Sequence, residues 1–188
     1  MPAPFERRTI QRILKVNHAG EYGAIRIYRA QLAVARILYP EISGFLQHTL
    51  AHENRHCTVF RDAMPARNAR PCRIMALWGT GGYVLGLLTA LGGRQGIWVC
   101  TAAVESTVHR HLEDQLRFLA GKDNALHAAI VGIRSEELSH LHHAEARLKP
   151  ADLWAHLLFG AICKATETAI WLSTWGDSTR MARELREP

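Results

Sequence analysis

The run LHAAIVGIRSEELSHLHHA, Leu126 to Ala144, carries apolar residues at helical spacing and then places Glu137 and His140 on the same stripe. Residues three and four apart are neighbours on one face of an α-helix, so Leu126, Ile130 and Ile133 continue into Glu137, His140 and Ala144. Acid and imidazole on a face meant for burial need partners, because an isolated buried charge is prohibitively costly. The arrangement occurs once before: Ile42, Leu46 and Thr49 lead into Glu53, His56 and Phe60. Two further stripes carry one glutamate each. Leu14 and Asn17 lead to Glu21 and on to Ile25, Tyr28 and Leu32, while Trp98 and Ala102 lead to Glu105, Val108 and Leu112.

These four glutamates and two histidines form an internal repeat. Glu21 precedes Glu53 by 32 residues, Glu105 precedes Glu137 by the same 32, and the positions 21, 53 and 56 recur 84 residues later as 105, 137 and 140. One Glu from each of two helices, with Glu-x-x-His from each of two others, is the ligand set of a di-metal site in the core of a helical bundle. Carboxylates suit hard iron or manganese and bridge two ions, and each imidazole adds a neutral ligand. Four carboxylates also balance the charge of two divalent cations.

No stretch alternates as a strand does, and helical spacing recurs throughout, so the chain reads as all-α. Helices are expected over about Thr9–Leu38, Glu41–Met64, Ile74–Leu91, Gln95–Ala120, from an Asp123 N-cap to Leu148, and Ala151–Trp175. Pro40, Pro65, Gly92-Gly93, Gly121, Pro150 and Gly176 mark the breaks. Four of these helices are long and amphipathic, and residues 65–93 between the second and third make a long crossover with its own apolar helix. That is the topology of a ferritin-like four-helix bundle, here with an added C-terminal helix. Residues 1–188 read as one domain.

Hydrophobic residues make up 48% of the chain, as in an ordinary globular protein. Cys57, Cys72, Cys100 and Cys163 are scattered without a CxxC pair and read as free thiols in a reducing compartment. Glu6, Arg7 and Arg8 fall where a secretory signal would turn apolar, which places the start of the chain on the cytoplasmic side of any membrane. The net charge of +6 does not lie in a stripe interleaved with aromatics, which argues against nucleic acid as partner. It gathers in Arg7, Arg8, Arg12 and Lys15 and in Arg61, Arg67, Arg70 and Arg73, the second group directly before residues 74–93. That segment has no charged side chain and six glycines. We read it as an interfacial element admitting a greasy tail, with basic residues drawn to an anionic surface and Trp78 and Tyr83 as anchors; a buried helix and a bilayer span are the weaker alternatives.

From Arg12 to Ser173 the sequence resembles the demethoxyubiquinone hydroxylase family of ubiquinone biosynthesis. The resemblance is carried by RILKVNHAGEYGA (Arg12 to Ala24), Glu53–His56, Ala103-Val104-Glu105 and Glu136-Glu137-Leu138-Ser139-His140. It implies a monooxygenase that takes O₂ as co-substrate and hydroxylates the ring of a polyprenylated benzoquinol. The family's ligands for two carboxylate-bridged iron ions then fall on Glu21, Glu53, His56, Glu105, Glu137 and His140. It further implies a peripheral protein on the cytoplasmic face of a bacterial inner membrane or the matrix face of the mitochondrial one, with other ubiquinone-biosynthesis proteins as partners; an oligomer is left open. Electrons are expected from outside the chain, from a reductase, a nicotinamide such as NADH, or the quinol itself, because no flavin or dinucleotide fingerprint is present. Some members carry a tyrosine after a histidine beyond the third ligand. Here His111 is followed by Leu112, so a relay role for that tyrosine does not transfer.

Two other readings keep part of the pattern. An iron-storage protein, a ferroxidase or a peroxide-consuming manganese enzyme would use all six ligands without the apolar segment, and a non-enzymatic quinone- or lipid-binding protein would use the metals structurally. Among the remaining residues, His18 is read equally as support for Glu21 or as a core contact, His111 as a supporting or redox group by family analogy, Tyr22 and Tyr28 chiefly as packing residues, and Glu136 as solvated. His109, His127, His142, His143 and His156 read as ordinary histidines, and Gly20 and Gly23 as places of close backbone approach.

Overall fold

The computed structural model describes residues 4–149, 153–173, 176, 179 and 183. Six α-helices follow one another: α1 (Pro4–Leu38), α2 (Ser43–Ala63), α3 (Met75–Leu91), α4 (Gly93–Leu119), α5 (Asn124–Glu145) and α6 (Leu153–Ser173), and no strand occurs among the described residues. The boundaries follow local chemistry. Pro40 and Pro65 open short 3₁₀ turns after α1 and α2, because proline fixes a helical φ but donates no hydrogen bond. Gly93 and Gly121 take positive φ at the breaks before and after α4, where a side chain would be strained. Asp123 caps α5 by accepting the Leu126 N–H at 3.0 Å. The helix ends at Glu145, three residues short of the expected Leu148. The expected ends of the last helix, Ala151 and Trp175, lie outside the described residues, as does Pro150.

The four long helices α1, α2, α4 and α5 make a ferritin-like bundle, with α1 packed along α2 and α4 along α5. Its interior has three layers. At one end Leu14, Phe60, Leu112, Leu119, Leu126 and Ile130 interlock. At the other, Tyr28, Leu32, Leu46, Ile97, Trp98 and Leu141 do the same. The charged positions of all four stripes fall between these apolar layers, because each stripe carries its glutamate at the same height in the bundle.

The crossover helix α3 lies along α1 and meets the start of α4. Its approach to α1 depends on missing side chains: a Cβ at Gly82 would stand 2.5 Å from the Gly23 carbonyl oxygen, and one at Gly86 2.3 Å from that of Ile27. The opposite face of α3 leaves Leu77, Tyr83, Val84, Leu88 and Leu91 exposed, and α6 adds Leu153, Trp154, Leu157, Trp171 and Leu172. Among the described residues no helix is long and apolar enough to cross a membrane. The basic group before α3 needs one correction. Arg67 is bound in a two-bond pair with Asp123, Nε to Oδ2 at 2.6 Å and Nη2 to Oδ1 at 2.8 Å, so it braces the crossover against α5. None of the four cysteines forms a disulfide.

Candidate metal centre

The six residues singled out in the sequence meet between the apolar layers, none more than 5% exposed. They form two overlapping groups: Glu21, Glu53, His56 and Glu137, and Glu53, Glu105, Glu137 and His140. Within each group one nitrogen or oxygen atom per residue lies within 4.8 Å of all the others, and Glu53 and Glu137 belong to both. The two Glu-x-x-His motifs therefore supply the shared carboxylates, while Glu21 with His56 and Glu105 with His140 close the two ends.

Five polar atoms at the centre lack hydrogen-bond partners. His56 Nδ1, His140 Nδ1, Glu53 Oε1 and both oxygens of Glu137 are buried and unsatisfied. His56 Nδ1 stands 2.8 Å from Glu137 Oε1 and 3.7 Å from Glu21 Oε2 without hydrogen-bond alignment. His140 Nδ1 is 3.6 Å from Glu53 Oε1, 3.6 Å from Glu137 Oε2 and 3.9 Å from Glu105 Oε1. Buried polar groups left unmatched in such number call for an occupant. Converging lone pairs of carboxylates and imidazoles fit a pair of hard divalent cations, so the residues present suit two iron or manganese ions.

The electrostatics agree. Burial raises the carboxyl of Glu21 and, more strongly, those of Glu53 and Glu105, with neighbouring carboxylates adding to the rise. Burial disfavours the His56 cation, but the Glu137 and Glu21 carboxylates facing it outweigh that and lift the imidazole to about 10. Without a cation, the cluster gathers protons to offset its own negative charge.

Around this centre stand groups that the sequence did not disclose in these roles. The Tyr28 hydroxyl donates to Glu105 Oε1 from full burial, so Tyr28 does more than pack. Burial, then the Glu105 and Glu53 carboxylates, drive that hydroxyl well above its ordinary pKa. The outer nitrogen of His56 lies 2.7 Å from Glu136 Oε2, and that of His140 lies 3.2 Å from Nδ1 of His52. Glu136, read as solvated, is thus half-buried against His56 and Arg55. His18 is buried with Nδ1 unsatisfied and belongs to neither ligand group. Tyr22 packs over Gly79, and His143 stacks on Phe45 with ring centres 4.1 Å apart.

A cavity of about 320 Å³ opens beside the cluster, its wall including Glu21, Glu53, Glu105 and Glu137 but neither His56 nor His140. The rest is almost wholly apolar: Ala24 and Ile27 of α1, Leu77 and Trp78 of α3, Val104 of α4 and Ile170 of α6. Asn17, Thr166 and His111 are its other polar members. His111, read as a supporting or redox group, shares this wall and is paired to Glu167 at 3.1 Å. Gly23 is a place of close approach, where a Cβ would stand 3.1 Å from the Trp78 ring, but Gly20 is not: a Cβ there would meet nothing within 4 Å, because its open side is the cavity.

The buried carboxylate cluster brings together the residues that carry the sequence resemblance, and comparison with known proteins decides the family. The model of the family described as ubiquinone biosynthesis protein COQ7 matches residues 8–173. The chain belongs to that family. Its relatives include the 3-demethoxyubiquinol 3-hydroxylase of Rhodospirillum rubrum, 39% identical over 173 residues, which are 90% of this chain and 80% of the relative. The NADPH-dependent 3-demethoxyubiquinone 3-hydroxylase, mitochondrial, of Mus musculus is 37% identical over 175 residues, 89% of this chain and 78% of the relative. The 5-demethoxyubiquinone hydroxylase, mitochondrial, of Saccharomyces cerevisiae is 32% identical over 150 residues, 72% of this chain and 64% of the relative. Family membership therefore spans every element from α1 to α6.

Proposed function

We propose that this chain is an O₂-dependent hydroxylase of a demethoxyubiquinol, with Glu21, Glu53, His56, Glu105, Glu137 and His140 as ligands of two iron ions. The observation that carries this reading is the joining of the two features: four buried carboxylates, with orphaned oxygens on Glu53 and Glu137, form part of the wall of an apolar cavity. Two bound iron ions would supply the reducing electrons that activate dioxygen. One oxygen atom enters a ring C–H bond as hydroxyl, the other leaves as water, and a separate donor restores two electrons per turnover. The relatives named NADPH-dependent favour a nicotinamide as that donor.

The protein's own residues have defined tasks. Trp78, Val104 and Ile170 exclude water and hold a flat ring by apolar contact. Gly20 leaves room for that ring next to Glu21. Tyr28 fixes Glu105 through its hydroxyl. The exposed apolar faces of α3 and α6 rest on a membrane surface and let a polyprenyl tail reach the cavity. A ferroxidase or peroxide-consuming enzyme would need the ligands but not this chamber.

The test is metal analysis with single-turnover chemistry. The expected result is two iron ions per chain and a hydroxylated quinol carrying one atom from ¹⁸O₂. Purified protein that binds no metal, or that disproportionates peroxide but leaves quinol untouched, would refute the proposal. Flotation with anionic liposomes, weakened in a folded variant carrying Leu88→Asp and Leu157→Asp, tests the surface; equal flotation of the variant would count against it.

A further inference from the structure

The two halves of the centre are related by the 84-residue repeat, and so are the residues behind its histidines: position 52 in α2 corresponds to position 136 in α5. Each reaches across to the other half. Glu136 of α5 meets His56 of α2, and His52 of α2 meets His140 of α5. Equivalent positions thus do the same work with different chemistry, a carboxylate on one side and an imidazole on the other.

Both histidines turn Nδ1 toward the carboxylates. A cation on Nδ1 requires the proton on Nε2, which must then donate outward. For His56 the acceptor is the Glu136 carboxylate at 2.7 Å; for His140 it is the Nδ1 lone pair of His52 at 3.2 Å, a ring nitrogen that itself stands 3.4 Å from Glu136 Oε2, so the carboxylate acts on His56 directly and on His140 only through His52. A carboxylate behind a ligating imidazole raises its basicity and fixes its orientation, and such partners are typically worth 10–100-fold in metal affinity. A neutral imidazole orients its partner but pushes less electron density into the ring. Arg55 also binds Glu136 and keeps that carboxylate in place.

We propose that Glu136 and His52 are positioning residues that make the two cation sites unequal, so that the site of Glu21, Glu53, His56 and Glu137 fills first and holds its ion more tightly. This inference rests on the di-metal reading above, and its test separates the two. The metal-free full chain is titrated with Mn(II), and electron paramagnetic resonance counts free, isolated bound and spin-coupled ions. The expected result is an isolated bound signal up to one equivalent, then a coupled signal up to two, with dissociation constants more than tenfold apart. Glu136→Gln keeps an acceptor for His56 but removes the charge; it should weaken the first step by about 10–100-fold and merge the two. Glu136→Asp should restore part of the separation, and His52→Leu should weaken only the second step. Two steps of equal affinity in the unaltered protein, or variants that weaken both steps alike, would overturn the inference while leaving a di-metal site intact. No Mn(II) bound at all would instead overturn the di-metal reading itself.

Discussion

Replacing Gly86 by alanine should pry α3 away from α1, and the size of the effect follows from the geometry. The new Cβ would stand 2.3 Å from the Ile27 carbonyl oxygen and 2.8 Å from its Cα, whereas ordinary contact begins at 3.4 Å. The obstacle is backbone, so no rotamer change relieves it, and the helices must separate by about 1 Å. Overpacking of this kind costs typically 1–3 kcal/mol, from which the better helix propensity of alanine returns about 0.5–1 kcal/mol. A net loss of about 1 kcal/mol lowers Tm by roughly 2–4 °C for a chain of this length. Gly81 is the control. It lies in the same helix, yet a Cβ there meets nothing within 4 Å, so Gly81→Ala should gain about 0.5–1 kcal/mol. Thermal unfolding of the metal-free protein, followed by circular dichroism, compares the two. Equal shifts in the same direction, or a Gly86→Ala variant as stable as the parent, would refute the claim that glycine sets the α1–α3 spacing.

Three further outcomes are expected. Asp123→Asn should destabilise by about 1–2 kcal/mol at pH 7, since it keeps an acceptor for the α5 cap but loses the charge facing Arg67. The hydrogen bonds from Arg67 hold the Asp123 carboxyl below its usual value near 3.8, so this contribution is full above that pH and fades as pH falls through the lower folded value; a stability gap that persists unchanged at pH 2 would contradict it. Loading the metal-free protein near pH 7 should release protons, because Glu21, Glu53 and Glu105 hold theirs more tightly than free carboxyls and a cation replaces them; indicator dye in weak buffer measures the release, and its absence would argue against the cluster as ligand. Gly20→Leu should leave metal content at the parental level but cut kcat/KM for quinol at least tenfold, since Gly20 lines the cavity and a Cβ there meets no atom within 4 Å; undiminished turnover would place the ring elsewhere.

The sequence by itself determined which residues share a face. A 3.6-residue period is local, so the stripes through Glu21, Glu53, Glu105 and Glu137 were legible, as was their burial, and the 84-residue repeat tied the four together. Periodicity says which side of a helix turns inward but not which neighbour it meets. Tertiary structure alone paired Glu136 with His56 and His52 with His140, across 80 and 88 residues of chain. It likewise joined Tyr28 to Glu105 and drew Arg67 to Asp123. The glycines of α3 read in sequence only as reduced hydrophobicity and a licence for close packing. Their use became visible when α1 was seen against Gly82 and Gly86, because a missing side chain has meaning only beside the surface that takes its place.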